Sequence, residues 1–269
     1  KRPNERSNEY NRYIMILNTP EKRQQIVEQT TNNILTSMRL TMPYIDVTAA
    51  AKILGYSDRG AMKTLRRMFA MNLLREHKER TKKNQIMSVF VATKKARDEM
   101  GGTWEEKLWT IKNWRLSNHH HDMLLHPLAK DFRKLAKERG YNQHEFVKTN
   151  KLNRKRRADF ALKIDDVEYQ IELELTLKSK KRYESIFRTT FNKHTEAPHV
   201  WVLTTENHLN RFYKIAYEYE ALDHSIIVYW NQETGEMKWV KTEVAPVFAK
   251  VKKETARDPE KEYEIFSIR

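Results

Sequence analysis

Residues 157–178, RADFALKIDDVEYQIELELTLK, constrain the fold more than any other part of this sequence. Apolar residues occupy every second position in 158–164 and again in 171–177. A period of two predicts β-strands that turn one face toward a hydrophobic core and leave the other face exposed. Residues 165 and 166, between the two runs, are both aspartate, a residue that favours turns. We therefore predict a β-hairpin with a two-residue connection.

Three acidic residues lie on the predicted exposed face: Asp159 on the first strand, and Glu172 and Glu174 on the second. If residue 164 pairs with residue 167, Asp159 lies opposite Glu172. Like charges at opposed positions, where Cβ atoms are roughly 4.5–5.5 Å apart, destabilise a sheet. The two carboxylates therefore favour a shared proton or cation, and a hard ion such as Mg²⁺ takes oxygen ligands of this kind. The alternative is that these acids form only the solvated face of an amphipathic hairpin.

The acids belong to a strongly basic chain of 269 residues, in which 51 Lys and Arg outnumber 36 Asp and Glu for a net charge of +15. Such an excess predicts a polyanionic partner, and nucleic acid is the commonest; a basic surface without a dedicated partner is the alternative. The absence of cysteine excludes disulfides and thiolate metal sites and favours a cytoplasmic location. No apolar run approaches the roughly 18 residues of a membrane span, so no membrane segment is expected.

A helix-turn-helix pattern precedes the hairpin. Residues 47–54 predict a short helix, 55–58 a turn, and 59–74 a second helix. The apolar stripe of this second helix is Met62, Leu65, Phe69 and Leu73, and Met68 adjoins it. The basic segment 75–84 and the apolar strand at 86–92 complete the pattern of a winged helix-turn-helix domain. In that motif the second helix lies in the major groove of DNA. A plain three-helix packing unit, or a module that binds another protein, is the alternative.

We expect the basic residues of this domain to contact DNA. They are Arg59, Lys63, Arg66, Arg67, Lys82 and Lys83. Lys82 and Lys83 are expected to contact phosphates only, which adds affinity without sequence information. A further helix is predicted to begin at Thr19 and Pro20, with an apolar stripe of Ile26, Ile34 and Leu35.

The sequence after the only adjacent glycines, Gly101 and Gly102, predicts a second domain, so we divide the chain into 1–100 and 101–269. The patterns there predict helices and strands in an order that gives a mixed sheet with helices on both faces. The predicted elements are a helix at 119–138, strands at 145–149, 157–164 and 169–177, a helix at 179–193, a strand at 200–203, a helix at 209–222, and strands at 226–230 and 237–240.

Histidines at the start of the helix at 119–138 invite a metal interpretation. The residues best placed to share a metal ion are His121, Asp122 and His126, because Asp122 and His126 lie four residues apart on one helix face. We favour the alternative, in which these are exposed or hydrogen-bonded polar residues at a helix start.

The spacing of the acids carries a resemblance to a known family. Asp159, followed after twelve residues by Glu172-Leu173-Glu174 on a hairpin flanked by helices, resembles the PD-(D/E)xK restriction-endonuclease-like nucleases. Those enzymes usually have Lys where this chain has Glu174, although some type II restriction enzymes have Glu. With a winged helix before the motif and a Lys/Arg-rich helix after it, residues 20–230 more narrowly resemble MobC-type plasmid mobilisation relaxases and their replication-relaxation relatives.

The resemblance implies metal-dependent, sequence-specific nicking of one DNA strand at a plasmid origin of transfer, together with other mobilisation proteins. It implies that Asp159 and Glu172 bind Mg²⁺ or Mn²⁺, with Glu174 as a further ligand or as acceptor of the nucleophile's proton. Lys178 would stabilise charge on the phosphate, or be a solvated lysine. We assign no nucleophile, since Tyr183, the nearest tyrosine, lies on an apolar stripe. A non-catalytic DNA-binding accessory protein and a double-strand restriction-type endonuclease remain open.

Overall fold

The computed structural model describes residues 19–81, 84–100, 115–138, 144–147, 158–164, 167–190, 198–240 and 265–267. The chain divides into two compact units, Lys1–Leu116 and Ser117–Arg269. The described residues form seven α-helices and two β-sheets, which confirms the predicted α/β class. None of these helices combines the length and the apolar character needed to cross a bilayer. The boundary glycines lie outside the described residues, and the assignment of 1–100 to DNA binding and 101–269 to nuclease chemistry stays a prediction.

The first unit contains four of the described helices and a three-stranded sheet. Its elements are α1 (Pro20–Leu40), β1 (Tyr44–Ile45), α2 (Val47–Leu54), α3 (Asp58–Ala70), β2 (Leu74–Arg80), β3 (Ile86–Ala92) and α4 (Lys94–Met100). The strands pair antiparallel in the order β1–β3–β2. The predicted bounds of α2 and β3 are confirmed.

Local signals set the helix ends of the first unit. Thr19 caps α1, as predicted, by accepting a hydrogen bond from the backbone N–H of Lys22 at 3.4 Å. Asp46 caps α2 through the N–H of Ala49 at 2.7 Å, and α2 ends at Gly55, whose φ is +68°. Capping satisfies backbone groups that have no partner within the helix, and glycine adopts positive φ without steric cost. These interactions explain why the element bounds follow the local sequence closely.

The predicted apolar stripes of α1 and α3 are partly wrong. Ile26 is 42% exposed and Phe69 is 49% exposed, whereas both were expected in the core. The buried face of α3 begins at Ala61, one residue before the predicted stripe, and consists of Ala61, Thr64, Leu65 and Met68. This buried face follows the i, i+3, i+4, i+7 spacing from Ala61, and Phe69 lies outside it.

The second unit is built around a seven-stranded mixed sheet. Its elements are α5 (His119–Glu138), β4 (His144–Val147), β5 (Phe160–Ile164), β6 (Val167–Glu174), α6 (Lys180–Thr190), β7 (His199–Leu203), α7 (Glu206–Glu218), β8 (Ser225–Trp230), β9 (Met237–Val240) and β10 (Ile265–Ser267). Short 3₁₀ helices lie at Leu116–Asn118 and Leu222–His224. The strand order is β10–β9–β8–β7–β6–β5–β4, with β6, β7 and β8 parallel and the other pairs antiparallel.

Helices cover both faces of this sheet. On one face, Phe132 of α5 packs edge-on against Phe160 and Trp239, with ring centroids 6.1 and 6.3 Å away. On the other face, α6 and α7 pack over β7 in a single core cluster that includes Trp201 and Leu203. The buried parallel strand at β7 was predicted and is confirmed, since all five of its residues are buried. This two-sided burial decides the environment of the acidic residues on β6.

Candidate functional site

The β5–β6 hairpin brings the three acids of the motif to one end of the sheet. The strands pair with Ile164 opposite Val167, which confirms the predicted register; residues 165 and 166 lie outside the described residues. β5 begins one residue after Asp159, and β6 ends at Glu174. Asp159 therefore enters the hairpin where the second strand, with Glu172 near its end, leaves it.

Asp159 is held against the edge of β6 by two backbone groups. Its own N–H donates to the carbonyl of Ile171 at 3.0 Å, and its Oδ2 accepts from the N–H of Leu173 at 2.7 Å. Because Ile171 and Leu173 lie two residues apart on one strand, both point their backbone groups toward β5. The carboxylate thus takes the position that a backbone carbonyl would hold if the β5–β6 ladder were longer. Its partner Leu173 lies between Glu172 and Glu174 in the sequence.

His121, in the first turn of α5, contacts the same carboxylate. Its Nε2 lies 3.3 Å from Oδ2 of Asp159 and 3.2 Å from the carbonyl oxygen of Leu173, and its Nδ1 lies 3.3 Å from Oδ1 of Asp122. All three partners are acceptors, so both ring nitrogens carry protons in this arrangement. Burial alone would lower the pKa of His121, but hydrogen bonds to Asp122 and Asp159 and the charges of both carboxylates outweigh it and raise the pKa from 6.5 to about 10. The ring is therefore an imidazolium at neutral pH.

The contact between His121 and Asp159 could not be found by sequence reasoning. His121 and Leu173 lie 52 positions apart, and no periodicity links a helix start to the end of a strand. The sequence did single out His121, Asp122 and His126 as polar residues at a helix start. Of these, His121 joins the acidic end of the hairpin, while His126 is fully buried in α5. The run from His119 to Asp122 was the available signal, but its residues were weighed only as metal ligands or as exposed or hydrogen-bonded polar residues at a helix start.

Glu172 and Glu174 are buried, so the prediction that they form an exposed face is wrong. Glu172 is 8% exposed and Glu174 is 3% exposed. In the parallel register, Glu172 pairs with Trp201 and Glu174 with Leu203, which places both glutamates on the face covered by α6 and α7. An alternating apolar and polar pattern leaves the polar face of a hairpin exposed to solvent only if no other element packs on it. Here helices pack on both faces of the sheet.

Lys178 provides a cation beside the buried Glu174. Its Nζ donates to Oε1 of Glu174, and the ammonium lies 5.8 Å from the centroid of the Tyr183 ring. The strand ends at Glu174, so the contact arises from the chain between β6 and α6 and not from strand parity. Tyr183 is fully buried, as predicted, and its hydroxyl accepts from the N–H of Lys178 at 3.3 Å.

The donor set of this site is suited to a hard divalent cation. Carboxylate oxygens are the ligands that Mg²⁺ and Mn²⁺ prefer, and Mg²⁺ in phosphate-handling sites is held by one or two carboxylates together with substrate phosphates. Among the described residues, no three His, Cys, Asp or Glu side chains are arranged as a complete set of metal ligands. Asp159 and Glu174 are instead paired with His121 and Lys178. Asp159 and Glu172 supply carboxylates of the kind that such an ion takes together with a substrate phosphate.

The predicted DNA contacts of the first unit differ in exposure. Arg59, Lys63 and Arg66 are exposed on α3. Arg67 is partly buried, and its Nη2 donates to Oγ1 of Thr30 at 3.0 Å, which ties α3 to α1. Lys82 and Lys83 lie outside the described residues. β2 adds exposed basic residues that the sequence indicated only as part of a basic segment, namely Arg75, Lys78 and Arg80.

Comparison with known protein families and curated proteins does not assign this chain to a family. No protein-family model matches the chain, and no curated protein matches it.

Proposed function

We propose that this chain is a metal-dependent DNA endonuclease that nicks one strand, of the relaxase type. The observation that carries the proposal is the hydrogen bond from the Leu173 backbone to the Asp159 carboxylate. It brings Asp159 to the stretch of β6 that bears Glu172 and Glu174, in a chain whose net charge of +15 favours DNA as a partner. Three carboxylates at one end of the hairpin would suit a cation bound beside a DNA phosphate.

The order of elements supports the restriction-endonuclease-like interpretation of the second unit. A helix (α5) precedes an antiparallel meander of β4, β5 and β6, and α6 then leads to β7, which is parallel to β6. The acids lie at the start of the second strand of the meander and at the end of the third, as the resemblance implies. In the first unit, three helices followed by an antiparallel hairpin support the winged helix-turn-helix interpretation.

In this proposal Asp159 and Glu172 hold Mg²⁺ or Mn²⁺, which, when bound, polarises the scissile phosphate and neutralises charge on the leaving oxygen. Glu174 is the further ligand or the acceptor of the nucleophile's proton. Glu174 occupies the position at which the related nucleases usually have their motif lysine, and Lys178, whose Nζ contacts Glu174, would stabilise negative charge on the phosphate in its place. Tyr183 is fully buried, so it is not our candidate nucleophile.

Binding to DNA is assigned to the first unit. The exposed face of α3, with Arg59, Lys63 and Arg66, would enter the major groove, and the basic β2–β3 hairpin would contact phosphates. The resemblance to MobC-type relaxases narrows the proposed target to a plasmid origin of transfer, and the proposed partners to other mobilisation proteins.

A non-catalytic DNA-binding accessory protein is the second candidate, and one observation favours it. His121 and Lys178 already balance the charges of Asp159 and Glu174. Acids that serve only to tie α5 and the chain after β6 to the sheet would show the same pairing. Replacing an acid then affects stability and leaves no metal-dependent activity to lose.

The experiment is a nicking assay on supercoiled DNA that carries the transfer origin of the same plasmid, with Mg²⁺ and with EDTA. We expect a relaxed circle with Mg²⁺ only, and a loss of about 100-fold or more in Asp159→Asn and Glu172→Gln, because each removes a carboxylate that would hold the metal ion and with it the ion's stabilisation of charge on the phosphate. Glu168→Gln, on the same face of β6 at its other end, is the matched control and should cut normally.

Each outcome of this assay has a stated meaning. Unchanged Mg²⁺-dependent nicking in Asp159→Asn contradicts the site assignment, and DNA binding without any nicking supports the accessory protein. A linear product in place of a relaxed circle means that both strands are cut, as in a restriction-type enzyme. Treatment with protease before electrophoresis reveals whether protein remains attached to the cut end.

A further inference from the structure

The end of the β5–β6 ladder is completed by side chains. Backbone pairing stops at Phe160 opposite Ile171, two residues before Leu173. The N–H of Leu173 donates to Oδ2 of Asp159 at 2.7 Å, and its carbonyl lies 3.2 Å from Nε2 of His121. Nε2 also lies 3.3 Å from the same Oδ2. The Asp159 carboxylate, the His121 imidazole and the backbone N–H and carbonyl of Leu173 therefore form a closed set of contacts.

We propose that His121 is a positioning residue that orients the Asp159 carboxylate for a divalent cation; this role rests on the proposed function. Among the described residues, the Leu173 N–H and His121 Nε2 both engage Oδ2 of Asp159, so this oxygen is held in place and Oδ1 is the oxygen that the proposal assigns to the cation. Carboxylates that bind metals are themselves hydrogen-bonded, and loss of such a partner typically costs about 10-fold to 100-fold in metal affinity.

Asp122 orients His121 in turn. Oδ1 of Asp122 lies 3.3 Å from Nδ1 of His121, and Asp122 is only 6% exposed. Phe132 anchors the same helix against the sheet through its contacts with Phe160 and Trp239. A rigid chain of contacts thus runs from the core of the second unit through α5 to the carboxylate, as expected for a group that must hold a ligand in one orientation.

The two nitrogens of His121 can be tested separately with amide side chains. In His121→Gln the amide nitrogen reaches the position of Nε2 and keeps a donor toward Asp159. In His121→Asn the amide nitrogen reaches the position of Nδ1 and keeps a donor toward Asp122 only. If His121 acts through Asp159, the Gln variant should rescue the function and the Asn variant should not. A merely structural link between α5 and β6, made by the same Nε2 to the Leu173 carbonyl, would order the stabilities of the two variants in this way, so the deciding readout is the Mn²⁺ affinity of the folded proteins.

The measurement is the dissociation constant for Mn²⁺, determined by calorimetry on the full chain, with circular dichroism as the test of folding. We expect His121→Gln to bind Mn²⁺ within about threefold of the wild type and His121→Asn to bind about 10-fold to 100-fold more weakly. His120→Asn is the matched control, because His120 is the exposed neighbour in the same turn and should leave affinity unchanged.

The outcomes separate this inference from the proposed function. If wild type and Asp159→Asn bind Mn²⁺ equally, or neither binds it, both the metal site and the role of His121 are refuted. If Asp159→Asn abolishes binding while His121→Asn binds as the wild type does, only the role of His121 is refuted. If His121→Asn fails to fold, His121→Gln still decides: a loss of more than about 10-fold in that variant overturns the proposal.

Discussion

The stability of the second unit should depend on pH through His121. Burial disfavours the charged ring, but the carboxylates of Asp122 and Asp159 outweigh burial and raise its pKa from 6.5 to about 10. The folded chain therefore keeps a proton that the unfolded chain loses above pH 6.5. The stabilisation is complete below that pH and is lost as the pH rises toward about 10, with a slope of at most about −1.4 kcal/mol per pH unit.

The size of this effect follows from the same shift. The rise of the His121 pKa from 6.5 to about 10 corresponds to an upper limit of about 5 kcal/mol in unfolding free energy. Solvent reaches 30% of the His121 side chain, so screening reduces the contribution, and we expect about 2–3 kcal/mol between pH 6 and pH 10. This is a large part of the net stability of a domain, which is typically about 5–15 kcal/mol.

Urea denaturation of wild type and His121→Gln over that pH range measures the effect. Lysine and tyrosine side chains also titrate near pH 10, but they are common to both proteins and cancel in the difference of unfolding free energies. The stability advantage of the wild type should shrink steadily as the pH rises. If the two proteins show the same pH dependence, the imidazolium in contact with Asp122 and Asp159 does not exist in solution, and the reasoning is refuted.

Two further predictions concern DNA binding and the closing turn of the sheet. Lys63→Ala and Arg66→Ala should each weaken DNA binding and lower the magnitude of the slope of log affinity against log salt concentration by about one. Arg67→Ala should mainly destabilise the first unit, because the Arg67 guanidinium donates a hydrogen bond to Thr30. Fluorescence anisotropy across a range of salt concentrations tests this, and an unchanged slope in Lys63→Ala and Arg66→Ala contradicts it. Gly235→Ala should cost about 2–3 kcal/mol, since φ is +73° and the new Cβ would lie 2.9 Å from Oδ2 of Asp131, which accepts from Trp230. Gly55→Ala, at a φ of +68° where the Cβ meets no described atom within 4 Å, should cost only about 1 kcal/mol, and equal costs in urea denaturation would contradict the steric argument.

Much of the local structure could be predicted from the sequence. The period-two pattern predicted the hairpin and its register, which the pairing of Ile164 with Val167 confirms. Capping signals predicted the start of α1 at Pro20, and the apolar run predicted the buried strand β7. These features depend on residues that are close in sequence, so the pattern of side chains contains the information needed to predict them.

The properties of the candidate site depended on tertiary structure. The sequence alone determined which acids share a strand face, because alternation along a strand is a local property of the backbone. Only the packing of α6 and α7 over that face decided that Glu172 and Glu174 are buried, and only the placement of α5 brought His121 to Asp159. Burial and the pKa of an ionisable group depend on charges and apolar surface contributed by distant parts of the chain, and no local pattern encodes which of them will meet.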